Sequence, residues 1–201
     1  MGRGLSDTSW RGGAIVTDDP ARFRTEKSAA SYGLGNKLAR IIWVFAWTVL
    51  ARWTPPPLWA WRRSLLRLFG AQVGRGAQVH ASVRIWLPAR LAIGRNALIG
   101  PRVTLYNQGR ISIGERSVVS QGAHLCASSH NVRDPGFGLV EREIAVGSGC
   151  WIAAEAFVGP GVTMGDGAVL GARAVLFEDA EPMTIYRGNP ATALKERQWR
   201  G

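Results

Sequence analysis

Three histidines are the side chains of this 201-residue chain that change charge near neutrality, and their spacing limits what they can do. His130 lies in the run SSHNVRD, His124 comes six residues before it, and His80 stands far upstream. An imidazole with an ordinary pKa can take the proton of a hydroxyl as that hydroxyl attacks a carbon centre. His130 is the first candidate for this role, against the plainer reading of a surface loop histidine. His124 reads as a supporting or structural residue, and His80 as bland. Three imidazoles could also hold zinc, but only if they converge. Cys126 and Cys150 belong to no CxxC pair and are too few for a disulfide framework, as in a cytoplasmic protein.

The scaffold that must position these residues is legible as a six-residue repeat. Aliphatic residues recur at Val73, Val79 and Ile85, and after two extra residues at Ile93, Ile99 and Leu105. After two more they recur at Ile113, Val119 and Leu125, and after a longer interruption in six further steps from Val146 to Leu176. Of these fifteen positions, eight are followed by Gly, which suits corners where the backbone takes unusual dihedrals. Four residues after each aliphatic, a small residue (Ala, Ser, Cys or Gly) stands in twelve of fifteen cases. One large inward side chain per six residues predicts three short strands per coil and coils stacked by parallel pairing. The expectation is an all-β solenoid, a parallel β-helix of about five coils over residues 71–182. A sandwich would need strands every eight to twelve residues or so, which this period does not match. An excursion over residues 131–145 leaves the repeat just after His130, and such loops on rigid scaffolds carry binding groups.

The segments IGRNALIGPRV, VGPGVTMGDGAVLGARAV and YRGNPA resemble the hexapeptide-repeat acyltransferase superfamily over about residues 71–197. Within that span, SQGAHLCASSHNVRDPGFGL and WIAAEAFVGPGVTMGDGAVLGA are similar to the colanic-acid-biosynthesis type of acetyltransferase, related to galactoside and nodulation acetyltransferases. The resemblance implies a left-handed helix, acetyl-CoA as co-substrate, no metal, a carbohydrate acceptor and a homotrimer with sites between subunits. It makes His130 the catalytic base at the start of the excursion and Asn107 an acceptor-binding residue. Ala153 and Ala154 would offer amides to the oxyanion, with Trp151 walling the donor tunnel. Ala172 would flank the pantetheine arm, and Arg187, Lys195 and Arg197 would meet the CoA phosphates. Asn107-Gln108 stands where the family often carries an acid, and Gly100 where the galactoside enzymes carry an acceptor-contacting Asn. The implied reaction is acetyl transfer to a hydroxyl of a cell-surface polysaccharide or oligosaccharide. Alternatives are N-acetylation of an amino sugar, a γ-carbonic-anhydrase-like metal enzyme using the three histidines, and a non-catalytic scaffold.

The formal charge of +11, from 25 Lys and Arg against 14 Asp and Glu, suits an anionic ligand or surface. Nucleic acid is not expected, because the basic residues are scattered without an aromatic-basic or helix-turn-helix signature. Residues 1–35 read as an irregular segment, and the first twenty lack the apolar core of a signal peptide. Residues 36–70 read as a Trp- and Arg-rich helical segment. It breaks at Pro55-Pro56-Pro57, with Leu58, Trp61, Leu65, Leu66, Leu68 and Phe69 on one side of its second helix and Arg62, Arg63 and Arg67 on another. Its apolar run Ile41–Ala51 would reach about 16 Å as a helix, too short for a hydrocarbon core of about 30 Å. Such a pair would cap the open first coil, or touch a membrane surface through residues 36–69. The expected location is the cytoplasm, including the inner face of the membrane. Residues 183–201 read as a C-terminal segment.

Overall fold

In the computed structural model the described residues are 34–198; the irregular segment expected at residues 1–35 falls outside them except for Leu34 and Gly35, which open a helix. Helix α1 spans Leu34–Leu50 and α2 spans Trp59–Leu68. From Gln72 onward the chain winds as a parallel solenoid with three flat faces. Gln72–Val73, Leu91–Ile93, Ile111–Ile113, Ile144–Val146 and Thr163–Met164 stack as the first face. Gln78–Val79, Leu98–Ile99, Val118–Val119, Trp151–Ile152 and Val169–Leu170 stack as the second. Arg84–Ile85, Thr104–Tyr106, His124–Cys126, Phe157–Val158 and Val175–Leu176 form the third.

Five coils close fully and a sixth begins. Ala180 bridges Met164 on the first face, and Thr184–Arg187 pairs in parallel with Val169–Leu170 on the second. Thr192–Glu196 then folds back antiparallel on Thr184–Arg187, so the C-terminal segment extends the second sheet.

All fifteen repeat aliphatics are buried, from Val73 at 7% exposure to Leu125 and Leu170 at 0%. Truncating one, Leu125→Ala for example, removes a methylene stack that coils above and below cannot refill, at a cost of about 2–5 kcal/mol. The glycines that follow the aliphatics serve a different purpose from the expected one. Their φ angles are not positive; a Cβ on Gly114 would lie 2.4 Å from the Gly147 carbonyl carbon of the next coil. Close stacking therefore excludes a side chain there. The left-handed corner residue comes two places later, as at Gly76, Asn96, Arg116, Gly149 and Gly167.

The two helices cap the first coil, whose strand edge would otherwise present bare carbonyls. The indole N–H groups of Trp43 and Trp47 donate to the carbonyls of Ile85 at 2.9 Å and Ala81 at 3.2 Å. From α2, Arg62 donates to Val79 at 2.7 Å, Arg63 to Ala77 at 2.9 Å and Arg67 to Val73 at 2.9 Å. The arginine side of α2 thus faces inward together with Leu65 and Leu66, while Leu58, Trp61 and Leu68 are exposed. An open sheet edge needs donors more than it needs methyl groups.

Candidate active site

The excursion is a β-hairpin. Ser128–His130 pairs antiparallel with Leu139–Glu141, and the coil resumes at Ile144, earlier than the expected end of the excursion at residue 145. The loop between is held by its own polar groups. Asn131 Oδ1 accepts from the Arg133 amide at 3.1 Å, and the Asp134 carboxylate accepts from Gly136 at 2.9 Å and Gly138 at 3.3 Å. Phe137 is turned into the left-handed region, φ 47°, and its carbonyl receives a hydrogen bond from His130 Nδ1 at 2.6 Å. A carbonyl can only accept, so in the neutral ring Nδ1 carries the proton and Nε2 the lone pair. His130 is exposed and lines a 720 Å³ cavity with Ser129, Arg133, Arg142, Pro160 and Phe177 at the corner between the third and first faces. Arg90 ion-pairs with Glu141 and ties the hairpin to the first coil.

A second cavity of 780 Å³ lies at the corner between the first and second faces and brings Trp151 and Arg197 together with Arg116, Ser148, Asp166 and Met183. Trp151 donates to Ser120 Oγ at 2.9 Å, and Arg197 is pinned by the carbonyls of Gly149 at 2.8 Å and Gly167 at 2.9 Å. Ala153 and Ala154 lie at the remaining corner. The Ala153 amide is committed to the Leu170 carbonyl at 2.9 Å, which removes it as an oxyanion donor. Ala154 donates no backbone hydrogen bond among the described residues, and its carbonyl accepts from Arg173 at 2.9 Å beside the exposed Ala172. Arg187 and Lys195 are exposed on the two last strands.

Asn107, expected to bind the acceptor, is turned into the solenoid. It is fully buried; its Oδ1 accepts from the amides of Trp86 at 3.0 Å and Leu87 at 3.2 Å, and its Nδ2 donates to the Leu87 carbonyl at 2.6 Å. Its amide closes the corner of the coil before it. Nor do the histidines converge. His80 Nδ1 lies 2.9 Å from Ser82 Oγ in the first coil, and His124 stands edge-on between Tyr106 and Phe157 with its buried Nε2 unpartnered. Burial lowers the pKa of both, helped at His80 by Arg62. Among the described residues no group of three or more His, Cys, Asp or Glu could hold a metal ion.

The sequence and the solenoid fold are similar to those of known proteins. No family model matches the chain. It is 40% identical over 163 residues to the colanic acid biosynthesis acetyltransferase WcaF of Escherichia coli K12, covering 81% of this chain and 90% of the relative. The chain belongs to the hexapeptide-repeat acetyltransferases of the colanic acid biosynthesis type. The galactoside O-acetyltransferase of Escherichia coli K12 is 28% identical over 139 residues, 67% of this chain and 68% of that one. The crystal structure of a hexapeptide-repeat acetyltransferase of Vibrio cholerae O1 biovar eltor, complexed with acetyl coenzyme A, superposes with a TM-score of 0.73. It is 20% identical and covers 81% of this chain and 88% of its own, which supports the shared fold. In this member of the acetyltransferase family, the groups that sequence reasoning missed are the Phe137 carbonyl and the Asp134 carboxylate. The run Asp134-Pro135-Gly136 is a turn signal that could have pointed to them.

Proposed function

We propose that this acetyltransferase moves the acetyl group of acetyl-CoA to a hydroxyl of a cell-surface polysaccharide or oligosaccharide sugar, in the cytoplasm, with His130 as general base. The observation that carries the reading is the 2.6 Å bond from His130 Nδ1 to the Phe137 carbonyl, which leaves Nε2 as the basic atom in an open cavity. Nε2 takes the acceptor proton while the hydroxyl oxygen attacks the thioester carbonyl. The Ala154 amide is the remaining candidate for the developing oxyanion. The carbon–sulfur bond then breaks, and His130 returns its proton to the departing thiolate. Trp151 and Arg197 wall the donor path, with Arg187 and Lys195 toward its phosphates and Ala172 small enough for the arm to pass.

The residues so assigned lie at different corners of one prism, so no single chain assembles them. In the reading proposed, a homotrimer of closed cyclic symmetry would complete the site with a neighbour's corner. Three measurements test the reading. Acetyl-CoA at a hundred times its dissociation constant should stabilise the protein by about 2.7 kcal/mol in a thermal-shift assay. Thiol release should depend on a hydroxyl-bearing saccharide; release with amine acceptors alone would overturn O-acetylation, and a clean monomer by light scattering would overturn the shared site.

A further inference from the structure

Helix α1 is apolar on opposite sides, and only one side has a partner. Trp43 and Trp47 face the first coil, where they are buried and hydrogen-bonded. Leu34, Leu38, Ile41, Phe45 and Val49 recur every three or four residues along the other side and are 46% to 85% exposed. A helix that is apolar all round belongs in a covered setting. At 17 residues it is about 25 Å long, and no helix among the described residues is long and apolar enough to cross a membrane.

The charge around this ridge says what covers it. Between Leu34 and Gly114, which comprise the helices and the first two coils, there are twelve Lys or Arg and no Asp or Glu. From Glu115 to Gln198 there are seven Lys or Arg and ten Asp or Glu. The solenoid is therefore polarised along its axis, strongly positive at the helical end and slightly negative at the other. Two cavities flank α1 and share Val44 and Thr48. One, of 610 Å³, adds Lys37 and Arg40; the other, of 570 Å³, is rimmed by Arg52, Arg84 and Arg102 beside Ser82, with the walls of Trp43 and Trp47 behind them. These three guanidiniums make no ion pair among the described residues. A second copy set ridge to ridge would bring two such positive ends together, which like charge opposes.

We infer that the helical end docks on an anionic lipid surface, with the α1 ridge lying in the headgroup–acyl boundary and Arg52, Arg84 and Arg102 receiving lipid phosphates. The chemistry matches the two requirements of an interfacial helix: an apolar face to bury and basic groups at the level of the headgroups. Trp53 and Trp61, 73% and 45% exposed at the far end of the helix pair, have the amphipathic rings that favour this depth. Docking leaves the His130 cavity open, because its hairpin leaves the third coil and the ridge covers the first.

Flotation of the full chain with two kinds of vesicle tests this, one of phosphatidylcholine alone and one with phosphatidylglycerol added. The wild-type protein should float with the anionic vesicles, be released by high salt, and stay behind with the neutral ones. Each basic group at such a surface contributes roughly fivefold in affinity, so Arg84→Glu/Arg102→Glu should weaken binding by more than about tenfold. Ile41→Glu/Phe45→Glu should lose it, with the melting temperature and turnover on a soluble saccharide retained. Failure of the wild-type chain to float, as would follow if residues 1–33 or a second copy covered the ridge, overturns the inference. Equal flotation of wild type and Ile41→Glu/Phe45→Glu overturns it as well. Either result leaves the proposed acetyl transfer standing, since that is read separately by thiol release.

Discussion

His130 and Phe137 face each other across the hairpin loop, the imidazole Nδ1 donating to the backbone carbonyl at 2.6 Å. The bond orients the ring and selects the tautomer through a group that no side-chain substitution at position 137 can remove. What can be removed is the support behind it.

The Asp134 carboxylate is that support, because it holds the amides on both sides of Phe137, at Gly136 and Gly138. Asp134→Ala should lower kcat by about tenfold to a hundredfold through misplacement of His130, with KM for acetyl-CoA little changed. Asp134→Asn keeps one acceptor oxygen and should restore part of the rate. An equal loss in both variants, or a fall in melting temperature that tracks the rate, would show that the loop does not act through His130.

Arg62 is fully buried and joins the cap to the solenoid. Besides Val79 it donates to Thr54 Oγ1 at 2.7 Å and to the carbonyls of Pro55 at 3.0 Å and Pro56 at 2.8 Å. Arg62→Ala deprives the buried Val79 carbonyl and Thr54 Oγ1 of this donor, empties the guanidinium's place, and should destabilise the protein by about 3 kcal/mol or more in urea unfolding. A change below about 1 kcal/mol would mean that water replaces the guanidinium at little cost.

His124 predicts a pH dependence of stability. Burial holds its pKa below the ordinary value, so the unfolded chain takes up the proton first as pH falls. The stabilisation is present above about pH 6.5 and is lost progressively below it. His124→Phe, with a ring between Tyr106 and Phe157 and no orphaned nitrogen, should flatten the acid limb and leave stability at neutral pH equal or higher. Urea midpoints on both sides of the transition measure this, and an unchanged acid limb would contradict it.

Asn107 separates a structural from a binding role. Asn107→Ala takes the side-chain partner from both the amide and the carbonyl of Leu87, while the Trp86 amide keeps the Leu105 carbonyl, and should cost about 1–3 kcal/mol of stability. Acceptor KM should stay within about twofold, whereas a selective rise in it at constant stability would return Asn107 to the acceptor.

The inward face of the solenoid was readable because each coil buries an aliphatic at a fixed step, and a period of six survives two-residue insertions at one corner. The reason for the glycines was not, because the clash at Gly114 comes from Gly147 of the next coil, a neighbour that only the stacking reveals. Resemblance carried Asn107 to the right corner but could not show that its amide turns inward to Leu87. The Ala153 amide was lost to Leu170 for the same reason, since ladder partners depend on which coil lies above. Arg62, Arg63 and Arg67 were legible only as a separate side of the second helix; that this side supplies the cap's donors depends on the carbonyls of the first coil. His130 was singled out by type and place, and its hydrogen-bond partner is a backbone oxygen, which has no residue-type signal.

The central claim rests on one nitrogen, and the most direct measurement is the turnover of His130→Ala at saturating acetyl-CoA with an accepted saccharide. Loss of a general base should cost about 10² to 10⁴ in rate, about 3 to 5 kcal/mol of barrier, with the fold and the CoA-induced thermal shift retained. Retention of more than about a tenth of wild-type turnover would contradict the assignment and leave proton removal to another group.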